Sequence, residues 1–128
     1  MVARIQLTPA ERDIIARVAR EGWRVNLDNW TIGRLALARS LQIPEAPDLE
    51  LYRPISSQKG VELHAAQLTG EGRTNELDDF TDLYRSMLSL YEGIDLFSDE
   101  GAYHEALQRH VRRGLAVIAA EWQSGTDI

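Results

Sequence analysis

The chain has 128 residues, 44% of them hydrophobic and 27% charged, the balance of one ordinary globular domain spanning 1–128. It contains no cysteine, which excludes disulfides, a thiolate nucleophile and cysteine-ligated zinc or iron–sulfur centres. A net charge of −6 argues against a general nucleic-acid binder.

That charge is unevenly placed. Residues 1–44 hold seven arginines against Glu11, Asp13, Glu21 and Asp28, a balance of +3, which leaves −9 for the remainder. Lys59 is the one lysine, and arginine is the side chain that grips phosphate or carboxylate through two parallel bonds. The opening "MVARIQLTPAERD" has no apolar core of a secretory signal, and no apolar run approaches the roughly 20 residues of a membrane span. A cytoplasmic protein without membrane partners is expected.

In chain order, Val2–Leu7 alternates Arg4 and Gln6 with Ala3, Ile5 and Leu7, the pattern of a short strand or extended arm. Thr8-Pro9-Ala10-Glu11 then supplies an N-cap, a proline suited to the first helical position and the acid of a capping box. The first helix is predicted from Pro9 to Glu21, burying Ile14, Ile15, Val18 and Ala19 and stopping at Gly22. Arg12, Arg17, Arg20 and Arg24 do not all share one face, although the last three are spaced by three and four. A second helix, Asn29–Leu41, is predicted to bury Trp30, Leu35, Ala38 and Leu41, with Ile32 and Leu37 beside them. Its small Gly33 and Ala36 admit another backbone, and Pro44 and Pro47 close the segment.

"LELYRPI" and "VELHAAQL" both alternate with period two around the turn-like "SSQKG", which suggests a small β-hairpin within 49–68. A third helix is predicted over about Glu76–Tyr91, burying Leu77, Phe80, Tyr84, Met87 and Tyr91, with Leu83 and Leu88 flanking. A fourth begins after Ser98-Asp99 with the stripe Tyr103, Leu107, His110, Val111, Gly114, Leu115, Ile118 and Trp122. Its apolar arc is wide enough to need partners on two sides, either another helix or a second chain against Gly114 and Ala119, with Arg112 and Arg113 at the rim. The fold class expected is mainly α: a compact four-helix globule with an N-terminal extended arm and a small hairpin.

Catalytic chemistry finds little purchase. His64, His104 and His110 have no metal-ligand spacing, Glu100 and His104 suit an i,i+4 ion pair, and His110 suits a packed helix–helix seam. The acids of "ELDDF" complement a helix N-terminus, "LTGEG" lacks the lysine of a phosphate loop, and Ser40, Ser56 and Ser57 show no histidine and carboxylate partners. No catalytic residue, metal or cofactor is expected. An arm, a capped helix, a glycine turn and a second helix also outline a ribbon-helix-helix unit. In such a regulator Arg4 and Gln6 of two paired arms would read the major groove; the competing reading is an arm that simply covers the core.

Three segments resemble the DndE family of bacterial DNA phosphorothioation systems. They are "RLALARSL" (Arg34–Leu41), "GVELHAAQLTGE" (Gly60–Glu71) and "HVRRGLAVIA" (His110–Ala119), in family order. The resemblance implies a mainly helical, self-associating protein, with a tetramer suspected. It further implies a non-enzymatic accessory role beside sulfurtransferase-like and ATPase components, in replacing a non-bridging phosphate oxygen by sulfur. It implies, finally, contact with duplex DNA, preferentially at nicks, through basic residues of the first helix. The matching positions centre on Arg17 and Arg20, with Arg12 and Arg24 alongside.

Overall fold

The computed structural model describes residues 4–18, 29–52, 62–64, 68–69 and 80–123. Among them the order is β1 (Arg4–Gln6), α1 (Pro9–Arg17), α2 (Asn29–Leu41), β2 (Glu62–His64), α3 (Thr81–Glu92) and α4 (Glu100–Gln123). The mainly α class read from the sequence is the class observed.

The capping box forms as expected: the Thr8 hydroxyl accepts from the Glu11 amide at 3.2 Å and a Glu11 carboxylate oxygen accepts from the Thr8 amide at 2.8 Å. The predicted end of the first helix at Gly22 lies outside the described residues. The third helix starts at Thr81, later than predicted, and Gly93 ends it in the left-handed conformation (φ 69°) with its amide bonded to Ser89 O at 2.9 Å. Of its expected flanks Leu88 is fully buried, whereas Leu83 is exposed.

The arm does not wait for a second copy. β1 pairs antiparallel with β2 of the same chain, Ile5 opposite Leu63, and the Gln6 amide bonds Gln108 Oε1 of α4 at 3.0 Å. Ile5 and Leu7 are fully buried, so the arm clamps the core as the competing reading had it. The edge of β1 that faces β2 is therefore taken within the chain and is not open to a twin's arm. The hairpin predicted within 49–68 falls largely outside the described residues. Asp48 Oδ1 accepts from the amides of Glu50 and Leu51 in a turn, and Glu62–His64 of the second segment pairs with β1.

α4 is the axis of the core. Tyr103, Ala106, Leu107, Val111, Leu115 and Ile118 are buried along it, and α1, α2, α3 and β1 all pack against it. Its closest neighbour is α2, where a Cβ placed on Gly114 would fall 1.7 Å from Ala36 O. The two backbones touch at that point, and the apolar arc of α4 finds its second partner in another helix of its own chain. This contact also rotates α2 relative to its expected face. Ile32, Gly33, Ala36, Leu37 and Ser40 are buried, Leu35 and Leu41 are half-buried, and Ala38 is exposed. The small residues, rather than the largest apolar ones, set the seam because they allow the closest approach.

Gly114→Ala should therefore destabilise the protein, even though alanine is worth about 1 kcal/mol more than glycine in a helix interior. Overpacking of this kind costs about 1–3 kcal/mol, and a methyl driven onto a carbonyl oxygen belongs at the upper end. Urea unfolding midpoints of the two proteins check this.

Candidate functional site

The basic positions read from the sequence fall on α1 and beyond it. Glu11, Ile15 and Val18 face inward, so Arg12, Asp13 and Ala16 face solvent. Arg12 Nη2 lies 3.4 Å from Asp13 Oδ1 in an exposed pair. Arg17 is half-buried and, with Ile14, Val18 and Ala119, lines a shallow apolar crevice between α1 and α4. Five residues of helix set Arg12 and Arg17 about 140° apart, so they flank one outward surface from opposite sides. Arg20 and Arg24 lie outside the described residues.

The orientation of α1 is fixed by an ion pair that the sequence did not reveal. Arg112 Nε lies 3.1 and 2.9 Å from the two oxygens of Glu11, and its guanidinium also stands 5.8 Å from the Tyr52 ring centre. Glu11 thus closes the capping box and fastens the helix to α4 with one carboxylate.

Arg112 and Arg113, expected at a rim, are buried. α4 is enclosed on several sides, so positions opposite its apolar stripe are covered too, and each cation there is held by acids or carbonyls. Arg113 donates from Nε to Ser40 Oγ (2.9 Å), from Nη1 to Glu45 O (2.6 Å) and from Nη2 to Ser40 O (2.8 Å). The Tyr91 hydroxyl donates to Leu41 O. Two side chains from other helices thus satisfy the carbonyls that the end of α2 leaves without helical partners, and the Arg113 charge complements the negative end of its dipole. Arg109 Nη2 bonds Glu92 Oε1 at 2.8 Å, and Arg85 pairs with Glu100, bonds Leu96 O at 3.2 Å and stacks 4.3 Å from the Tyr103 ring centre. Arg34 Nε bonds Leu68 O at 2.8 Å, and Arg39 pairs with Glu121. Periodicity could not have found these roles, because an arginine on a covered face and one on an open face read alike.

Ser40 does have a histidine partner, contrary to the sequence expectation. Its Oγ lies 2.8 Å from His110 Nδ1, and His110 Nε2 lies 3.6 Å from Glu92 Oε1. Ser40 Oγ accepts from Arg113, so its own proton is available to His110 Nδ1. In that arrangement Nε2 carries the ring proton, and at 3.6 Å from Glu92 Oε1 it makes no hydrogen bond. Burial, reinforced by the neighbouring charges of Arg113 and Arg109, holds the His110 pKa down to about 3. Ser40 and His110 are both fully buried, and Ser40 Oγ is already engaged on two sides, so no substrate atom reaches it. The arrangement locks α2, α3 and α4 together rather than presenting a nucleophile. His104, by contrast, makes the expected i,i+4 contact, its Nε2 lying 3.6 Å from Glu100 Oε2. Burial also raises the Tyr52 and Tyr84 hydroxyl pKa values and lowers that of the Arg113 guanidinium. Among the described residues no cluster of three metal-capable side chains occurs, and no helix is long and apolar enough to cross a membrane.

Two outcomes follow from these contacts. Arg112→Met leaves Glu11 facing the protein without its cation and should cost about 2–3 kcal/mol, the low end of what breaking a buried pair costs because both groups keep slight solvent contact. The double variant Glu11→Gln with Arg112→Met should be more stable than the sum of the single losses, which a double-mutant cycle by urea unfolding measures. Between pH 6.5 and about 3 the unfolded chain takes up a proton on His110 that the folded chain refuses, so stability must fall as pH drops through this window. The loss from this group between pH 7 and pH 5 should be on the order of 2 kcal/mol. His110→Asn, although less stable at pH 7, should show a shallower decline over the same interval, read from unfolding midpoints at both pH values.

No curated protein matches the chain. A family model described as DNA sulphur modification protein DndE does match, over residues 4–125, which takes in β1, all four helices and the enclosed arginine network. The chain therefore belongs to the DndE family and, with it, to DNA sulphur modification.

Proposed function

We propose that this protein is a non-enzymatic accessory subunit of a cytoplasmic DNA phosphorothioation complex, which it helps to organise at duplex DNA together with sulfurtransferase-like and ATPase components. The DNA contact is made by the outward surface of the first helix, with Arg12 and Arg17 on α1 and Arg20 and Arg24 beyond it. Such contacts grip phosphates and position the protein without reading bases, in keeping with a site defined by a nick. The observation that carries this reading is how the arginines are used. Arg85, Arg109, Arg112 and Arg113 are buried and held by acids or carbonyls of their own chain, whereas Arg12 faces solvent on α1 and its pair with Asp13 is exposed too. A sealed Ser40–His110 pair supports a binding role over a hydrolytic one. Self-association into a tetramer would multiply a modest basic face into an effective one, since linked weak sites gain avidity without new contacts.

Affinity for a nicked duplex should fall with salt. If about four arginines meet phosphates, log K should decline against log salt with a slope near −3.6. Arg17→Ala with Arg20→Ala should flatten that slope by roughly two contacts' worth, about 1.8. Fluorescence anisotropy across a salt series measures both. Salt-independent or absent DNA binding would remove the DNA role and leave only the organising one.

A further inference from the structure

Among the described residues, the outer face of α3 is exposed. Leu83 is 54% exposed and Leu90 84% exposed, and seven residues of spacing put them on one side of the helix. Leu88 and Arg85, on the other side, are buried against the core. Just past the left-handed Gly93, Ile94 and Phe97 are each 52% exposed. Single exposed apolar residues are ordinary, but four large ones on a helix face and its following turn mark a surface that is covered in use.

Charge says what covers it. Residues 80–105 carry Asp82, Glu92, Asp95, Asp99, Glu100 and Glu105 against Arg85 alone, a balance of −5 out of the chain's net −6. Arg85 is buried and paired with Glu100, so the one cation of the segment is spent inward. Asp82, Asp95, Asp99 and Glu105 stay exposed around the apolar residues. This is the pattern of an interface, an apolar centre with a polar edge, whose edge has a single sign. Phosphate is repelled by such an edge, which excludes DNA as the occupant. A two-fold contact with a second copy is disfavoured on the same ground, because acidic edges would face each other across the axis.

We propose that the outer face of α3 and the turn after it form a docking surface for a different protein, one that offers an apolar groove edged by arginine or lysine. The identification of that protein as a component of the modification complex rests on the function proposed above. The surface lies on α3 and its turn and includes none of the first-helix arginines.

The test titrates the full-length chain against the sulfurtransferase-like and ATPase components of the modification system by calorimetry, alongside L83S/L90S and Asp82→Arg variants. The double variant should weaken binding to one component at least tenfold and Asp82→Arg several-fold, with binding of the unchanged chain to that component falling as salt rises. Thermal stability, sedimentation and DNA affinity should stay at unchanged levels, since these side chains lie in solvent. Unchanged component binding by L83S/L90S overturns the proposal. Loss of self-association, or of DNA affinity, in place of component binding also overturns it, by giving the face to another occupant. If the unchanged chain binds neither component, the reading of the protein as a subunit of that complex fails, and this docking surface falls with it. If the unchanged chain binds and the variants bind equally, only the surface assignment fails.

Discussion

The structure depends on the backbone contact between α2 and α4 at Ala36 and Gly114. Glycine at 114 is the one residue that lets the two helices meet there, since a single methyl would collide with the Ala36 carbonyl. Beside this contact the two helices bury Ser40, His110 and Arg113. Polar groups at that depth persist only if hydrogen-bonded. Arg113 and Tyr91 meet this demand by turning to the terminal carbonyls of α2, and Arg113 also holds Ser40 in place for His110. The tight contact and the buried polar network are thus two parts of one arrangement.

The same enclosure of α4 decides what the charges do. A helix surrounded on several sides draws its arginines inward, where each needs an acid or a carbonyl, and Glu11, Glu92, Ser40 O and Glu45 O supply them. Of the acids of α3 and the turn toward α4, Glu92 and Glu100 pair with Arg109 and Arg85, while Asp82, Asp95 and Asp99 stay exposed. The modest overall charge therefore conceals an acidic, partly apolar segment over residues 80–105.

Local chemistry was legible in the sequence wherever it is governed by neighbours along the chain. The capping box at Thr8 and Glu11, the four helices, the stripe of α4 and the seam position of His110 all follow from periodicity and from residues three or four apart. The DndE resemblance, resting on three short segments, agrees with a family match spanning nearly the whole chain. Strand pairing was not legible. "LELYRPI" and "VELHAAQL" each alternate like strands, but alternation does not name a partner, and the one observed for Glu62–His64 is β1.

By itself, then, the sequence determined the helical class, the helix starts set by local hydrogen bonds, the family, and the segregation of arginine toward the N-terminal part. Those properties depend on contacts within a turn or two of the chain or on composition. Only the tertiary structure decided which face of α2 is innermost, that Arg112 and Arg113 are buried, that Ser40 meets His110, and that Leu83 and Leu90 of α3 stay exposed. Each of these depends on which surfaces of distant segments come together, and a buried arginine and an exposed one, or a covered leucine and a bare one, are identical letters until the fold places something beside them.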